Sequence, residues 1–460
     1  MLMLLYPMLG LILLAALAYR GRTRVEGISS AIWIAWIWVM ILLSRSPVAW
    51  FAPEQSGNLI SRFTEGNPFE AAFFAVLIVA AILVLNHRST RVLYFFRTNA
   101  PLLCYLLYCL LSILWSDHPG TTVKRIVKGF GVIAIVLLLL TEKNVTGAFE
   151  RVLTRAAYIL LPLSTILILF FPHLGTFYDD TTKVTYYVGV ATQKNELGSC
   201  CMICGVSLLW AFLNAWHDRQ DRHRTHRLIL NALMYILAFV LILVCDSMTS
   251  FSCLVIASVV MLWIRRSGQT PSLHGMVAGM IALAAFASFL DSSGTLLSLL
   301  GRNATLTGRT DIWRAVLAQH TNPLIGCGFE SFWMSPRIES VWQTIGYTGV
   351  AEAHNGYLEI YINLGLIGIV LLAILLGSGY RNAVMSYRAN PPLGQLRIAL
   401  FIASIIYNFS EAGFRAMSTT WMILVFATVH YIPPDLTAPR AVALREISTQ
   451  NPDHRIRILD

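Results

Sequence analysis

Arg309, Glu352 and His354 stand in one polar stretch of an otherwise apolar chain. That stretch, residues 291–356, contains GRTDIWRAVLAQHTNPLIGCGFESFW (Gly308 to Trp333) and leads into AEAHNGYLEIYINLGLIGIV (Ala351 to Val370). A guanidinium fork binds two oxygens of a phosphate at once. Thr310 is placed to cap a short helix starting at Asp311, which would set Arg309 beside free N–H groups that favour an anion. The competing reading is an ion pair of Arg309 with Asp311 or Glu330. His354 can exchange a proton near neutral pH. Asn355 and Glu359 are placed to orient it, and Glu352 is a rival base. The competing reading for His354 is a helix-capping or interfacial histidine.

Other cations sit at the same membrane level. Lys194 and Asn195, in ATQKNELG (Ala191 to Gly198), lie just outside an apolar run. Lys194 there meets a lipid headgroup or pyrophosphate, or else snorkels at the interface. Arg125 and Lys128 follow WSDHPGTTVK and fall in the first turns of the next apolar segment. Charges at that depth are costly and mark function by default. Arg415 is similarly placed in NFSEAGFR (Asn408 to Arg415), with Glu411 as a ready partner.

The elements that must position these groups are membrane helices. Hydrophobic residues make up 56% of 460 and charged residues 13%, against about 25% charged in a soluble chain. Mean hydropathy is +0.64. Apolar runs near the ~20 residues that span a bilayer recur along the chain, and no ten-residue alternating strands suggest a barrel. The predicted fold is therefore an all-α polytopic integral membrane protein. Its candidate spans are residues 2–19, 28–44, 70–86, 100–115, 123–141, 153–171, 196–215, 229–245, 251–264, 275–290, 357–378, 397–411 and 416–432. That makes about 12–13 transmembrane helices with one large extracytoplasmic loop, 291–356. Residues 1–432 form one helical domain and 433–460 a polar cytoplasmic tail. The first span lacks a basic n-region and precedes Arg20, Arg22 and Arg24, so it reads as a retained helix.

Lys and Arg gather in alternate loops, for instance Arg88/Arg91/Arg97, Arg219/Arg222/Arg224/Arg227 and Arg381/Arg388. The positive-inside rule makes those loops cytoplasmic. The net charge of +10 is then mostly topology, and nothing reads as a nucleic-acid footprint. The outward loops are 45–69, 116–122, 172–195, 246–250, 291–356 and 412–415. They hold nearly all the unusual polar chemistry, which predicts one site built from several helix ends. Of the 8 cysteines only Cys327 is in a loop. Cys201 and Cys204 form a CxxC on an apolar segment without ligand partners, so packing is the reading. P-loop, HExxH, GxSxG and GxGxxG patterns are absent. The Asp179–Asp180 pair is the nearest approach to an acidic metal cluster and reads as a solvated turn. No cofactor and no metal are expected.

GRTDIW, PLIGCGFESFW and AHNGYLEIYINLGLIGIV together resemble the shared region of the O-antigen ligase and O-antigen polymerase superfamily. TQKNELG resembles its KN-G element and WSDHPGTTVKR its WS-P element, so the likeness covers about residues 100–430. Within the superfamily it is most like exopolysaccharide polymerases of the succinoglycan type. The resemblance implies an inner-membrane glycosyltransferase working at the periplasmic face without nucleotide sugar or metal. Its donor would be an undecaprenyl-diphosphate-linked oligosaccharide, and its partners membrane lipid, a chain-length regulator and an export complex. The family's essential loop arginine falls on Arg309, its loop histidine on His354, and its KN element on Lys194 and Asn195. Members often carry a basic residue where DSMTS (Asp246 to Ser250) has Met248. Either Arg125 or Lys128 substitutes, or that element lies elsewhere. The implied mechanism rests the diphosphate on Arg309, Lys194 and Arg125 while His354 deprotonates the acceptor hydroxyl. Fixed cations then match the charge growing on the leaving group. A ligase would use lipid A–core as acceptor. A flippase is the alternative of another class, but transporters place charge near the midplane in repeated halves, and here it clusters at one face.

Overall fold

The computed structural model describes residues 27–51, 67–179, 183–267 and 307–430, together with Gly275 and Gly279. Span 2–19, span 275–290 apart from Gly275 and Gly279, residues 291–306 of the large loop, Asp180 with the side chain of Asp179, and the tail 433–460 lie outside the described residues.

The chain is an all-α polytopic membrane protein. Its first helices are α1 (Ile32–Leu42), α2 (Pro47–Phe51), α3 (Pro68–Asn86), α4 (Ser89–Thr98), α5 (Ala100–Leu111), α6 (Pro119–Leu140), α7 (Val145–Phe170) and α8 (Pro172–Gly175). A hairpin of β1 (Thr176–Asp179) and β2 (Val184–Tyr187) follows. Then come α9 (Lys194–His217), α10 (Arg224–Val244), α11 (Met248–Ser267), α12 (Thr307–Leu317), α13 (Arg337–Ile345), α14 (Gly356–Ala389), α15 (Pro391–Tyr407) and α16 (Thr419–Thr428). Starts follow local chemistry. Asn67 and Asn144 accept N–H bonds at the heads of α3 and α7, and prolines open α3, α5, α6 and α15 where no N–H is needed.

Six described helices are long and apolar enough to span a bilayer: α3, α7, α9, α10, α11 and α14. The pair α4 and α5, bent by 85°, passes the same test only when the two are taken together, as a broken span or a re-entrant loop. The break is at Asn99, whose side chain takes the N–H of His430 and donates to Phe95 O. The other candidate spans on described residues coincide with α6 and with the shorter apolar helices α1, α15 and α16. Helix α6 has 22 residues but carries Lys124, Arg125 and Lys128 in its first turns. Helix α15 is buried along nearly its whole length and packs on α9, α11, α14 and α16. By contrast α3 and α10 expose rows of large apolar side chains, Val76, Val79 and Leu83 on one, Ile229, Leu233 and Ile236 on the other. Such faces suit lipid rather than water.

The break in α14 organises the large loop. Gly365 adopts φ 66°, ψ −165° inside the helix, a conformation open to glycine. The backbone of PLIGCG fills the gap. Cys327 and Gly328 donate to Ile362 O and Asn363 O, while Leu366 and Ile367 donate to Pro323 O and Leu324 O. A Cβ on Gly326 or Gly365 would lie 2.3 Å from the facing backbone. The broken helix is thus repaired by loop backbone, as orphaned groups at membrane depth require. Above it the loop has its own small core, including Ile312, Val316, Phe332, Trp333, Val341 and Trp342.

Helix direction sorts the charges. Arg125, Asn195, His354 and Glu411 all belong to one end of the bundle, at the starts of α6, α9 and α14 and the end of α15. The loops holding Lys143, Arg219 to Arg227 and Arg265 to Arg266 belong to the other. Alkaline phosphatase fused near residue 320 should therefore be active, and fused near residue 222 inactive. The reverse pattern of fusion activity would overturn the orientation.

Candidate functional site

Five charged side chains form one row. Arg309 Nη2 lies 3.0 Å from Glu411 Oε1. Glu411 Oε2 is 3.4 Å from His354 Nδ1, which is 3.0 Å from Glu352 Oε1. Glu352 Oε2 accepts from Arg415 Nη1 at 2.9 Å. Signs alternate from Arg309 to Arg415, so each carboxylate lies between two cations. Asn195 Nδ2 donates a further bond to Glu411 Oε1 at 2.9 Å. The Glu411 side chain is only 5% exposed, so its charge must be paired.

The row is held by the chain around His354. The Gly356 N–H donates to Asn408 O at 2.9 Å, and a Cβ there would sit 1.9 Å from Asn408 Oδ1. Only glycine lets the two loops meet this closely. Asn355 caps α14 through Leu358 N and donates to Phe409 O. Glu359 is buried and does not touch the imidazole. It accepts from Ala353 N at 2.6 Å and from Trp333 Nε1 at 2.8 Å. Trp313 donates to Ala353 O. His354 itself has φ 49°, a strained backbone for a residue with a Cβ, of a kind that clusters at functional sites.

Several expectations need correction. Helix α12 covers Thr307–Leu317, so Arg309 and Thr310 are both inside it and Arg309 is not the neighbour of a cap at Thr310. Arg309 pairs with neither Asp311 nor Glu330. Asp311 takes Arg314, and Glu330 takes Arg125 and the Ala416 N–H. Arg415 engages Glu352 and not its near neighbour Glu411. Asn355 and Glu359 position the backbone at His354 instead of its ring. Lys194 turns aside: its Nζ is 3.8 Å from Asp246 Oδ2 and 4.3 Å from the centroid of the Tyr186 ring, above the hairpin. Met248 is half exposed at the start of α11.

A cavity of about 440 Å³ adjoins the row, lined by Arg125, Lys128, Asn195, Glu330, Glu352, Glu411 and Arg415 among others. Arg125 bonds Glu330 through its backbone oxygen and its carboxylate. Lys128 Nζ lies 5.7 Å from the Phe74 ring centroid. Arg309 and His354 do not line the cavity but bond to glutamates that do, and they are 24% and 26% exposed on the loop side. Glu411 is the residue that sequence reasoning underrated, weighing it only as a partner for Arg415. Its signal was an acid at the outward end of a late apolar segment.

The row shifts both titrations. Burial alone would lower the His354 pKa, but its bonds to Glu352 and Glu411 outweigh this and raise it to about 10. Burial would raise Glu352, yet His354 and Arg415 hold it down at about 2. At rest His354 is an imidazolium between two carboxylates. Both contacts use Nδ1, which leaves Nε2 as the nitrogen for a substrate proton.

Residues 232–373 match the family described as O-Antigen ligase. That match covers under a third of the chain and falls on the motifs that carry the resemblance to the O-antigen ligase and polymerase superfamily. The matched stretch contains Arg309, Glu352 and His354, while Arg125, Asn195, Glu411 and Arg415 come from outside it. The chain is also 24% identical over 300 residues to "Exopolysaccharide production protein ExoQ" of Rhizobium meliloti (strain 1021), covering 60% of this chain and 63% of that protein.

Proposed function

We propose that this protein is a periplasmic-face glycosyltransferase of the bacterial inner membrane that joins undecaprenyl-diphosphate-linked repeat units into exopolysaccharide. The carrying observation is the Arg309–Glu411–His354–Glu352–Arg415 row beside a cavity at one end of the bundle, lined by Arg125, Lys128 and Arg415 together with five glutamates. The donor's diphosphate is held by Arg309 with Arg125, Lys128 and Arg415. Asn195 and Asn355 fix the loops that carry the row. His354, after losing its resting proton, takes the proton of the acceptor hydroxyl through Nε2, and that oxygen attacks the anomeric carbon. The bond to undecaprenyl diphosphate breaks, and fixed cations stabilise the charge that grows on it. Likeness to an exopolysaccharide production protein favours a second lipid-linked repeat as acceptor. The O-Antigen ligase match favours the second reading, transfer to lipid A–core.

Glu352, His354 and Glu411 bring ligand-type atoms within 4.8 Å of one another, the geometry of a metal site. Charge argues against a divalent ion there. Arg309 and Arg415 already neutralise the two carboxylates, and the imidazolium adds a positive charge that would repel a cation. Purified protein given lipid-linked donor in detergent should form products longer than one repeat, undiminished in excess EDTA. Products only on added lipid A–core would select the ligase reading. Loss in EDTA with rescue by magnesium or manganese would make these three residues ligands. Absence of any transfer, with donor moved across vesicles, would replace both by a flippase.

A further inference from the structure

The cavity beside the charged row carries more polar chemistry than its cations. Its volume, about 440 Å³, lies within the ~300–1,000 Å³ of sites that take small organic ligands. Of the glutamates that line it, three are engaged: Glu330 with Arg125 and the Ala416 N–H, Glu352 with His354 and Arg415, and Glu411 with Arg309, His354 and Asn195. Glu196 uses one oxygen on its own loop, where Oε2 accepts from Thr192 N at 3.1 Å and Thr192 Oγ1 at 2.5 Å. Its Oε1 has no partner among the described residues, and neither has the Glu70 carboxylate.

Two buried hydroxyls reach the same space. Ser199 on α9 is 8% exposed and Thr420 on α16 is 1% exposed, and both line the cavity. A serine inside a helix commonly bonds the carbonyl one turn back, as Ser207 and Ser404 do. Ser199 makes no such bond, and the Thr420 hydroxyl has no partner among the described residues either. Yet neither oxygen is closed off from the cavity. Helix α16 packs on both α9 and α6, so Thr420 belongs to the element that joins the helix of Glu196 and Ser199 to the helix of Arg125 and Lys128.

What fits these groups is neutral and hydroxylated. A phosphate would be repelled by Glu70 and Glu196. A polyprenyl chain would leave a carboxylate oxygen and two hydroxyls bare, at a cost for each. Sugar hydroxyls both donate and accept, and their bonds to a carboxylate are charge-assisted. The reaction places a sugar here: the bond that breaks joins the diphosphate to an anomeric carbon, so the first sugar begins one bond from the phosphate that the cations hold. Resting on the function proposed above, we infer that the donor's first sugar occupies this cavity and that Ser199, Thr420 and Glu196 Oε1 bind its hydroxyls. These residues stand outside the charged row and select donors by the sugar next to the diphosphate.

The test is a titration of the full chain in detergent with three lipids: undecaprenyl diphosphate, and the same carrier bearing one glucose or one galactose. At least one hexose should raise affinity over the bare carrier by about tenfold or more, as expected of two or three hydrogen bonds. Ser199→Ala/Thr420→Val removes both hydroxyls with little change of shape. It should abolish most of that gain and leave the affinity for the bare carrier unchanged, while Thr420→Ser keeps the gain. Equal affinity of the wild type for all three lipids overturns the inference and leaves the proposed function standing. An equal loss for bare and glycosylated carrier in the double variant also overturns it, because the two residues would then only shape the cavity. Failure of the wild type to bind even the bare carrier removes the proposed function itself, and the sugar subsite with it.

Discussion

Arg309→Ala should lower polymer formation by about 10²–10³-fold, the usual cost of removing one donor that stabilises growing negative charge. Arg309→Lys should recover little, because lysine keeps the charge but not the two-pronged geometry. The structure adds a complication. Arg309 is the ion partner of Glu411, which is only 5% exposed, and breaking a buried pair by removing one partner destabilises. A double variant separates the two effects. Arg309→Ala/Glu411→Ala removes both charges and should regain the thermal stability lost in Arg309→Ala, without regaining donor binding. The measurements are a thermal melt, lipid-linked donor binding and polymer formation in one detergent preparation. If donor binding survives Arg309→Ala, or returns with the double variant, Arg309 is only a strut for Glu411.

His354→Ala should cut turnover by about 10²–10⁴-fold, the range of general acid–base catalysis, with donor binding retained. The sign of the pH dependence is the sharper test. A pKa raised to about 10 keeps the free-enzyme imidazole protonated at neutral pH. If neutral His354 is the base, kcat/KM rises with pH, about tenfold per unit through the range below that pKa, and the rise vanishes in His354→Ala. A fall of kcat/KM over the same range would make the imidazolium the working form. Its charge would then serve the leaving diphosphate, and Glu411 or Glu352 would take the acceptor's proton. Stability should run the opposite way to activity. The raised pKa means that the contribution of this ion pair is complete below the ordinary histidine value, about 6.5, and is lost as pH rises through about 10. Melting temperature should therefore decline at the alkaline end, and less so in Glu352→Gln, where one source of the raised pKa is gone.

The membrane class, the apolar helices and the gathering of polar chemistry at one end of them were all legible in the sequence. Each depends on local composition. A run of about 20 apolar residues must leave water wherever the rest of the chain goes, and alternate basic loops fix which helix ends lie together. Arg309, Glu352, His354, Arg125, Asn195 and Arg415 were visible for the same reason, as charged or polar groups where such groups are costly. Partnership was not legible. Arg309 finds Glu411, 102 residues away, past the nearer Asp311 and Glu330. Arg415 passes over Glu411 for Glu352, and Lys194 faces the hairpin while its neighbour Asn195 reaches Glu411. An ion pair falls off with distance, and distance here is set by how the starts of α9, α12 and α14 meet the loop between α15 and α16. That meeting turns on tertiary contacts: loop backbone filling the helix break at Gly365, and Gly356 letting His354 approach Asn408. Spacing along the chain determined which residues stand at one end of the helices; packing decided which of them touch, and with that the protonation state of His354.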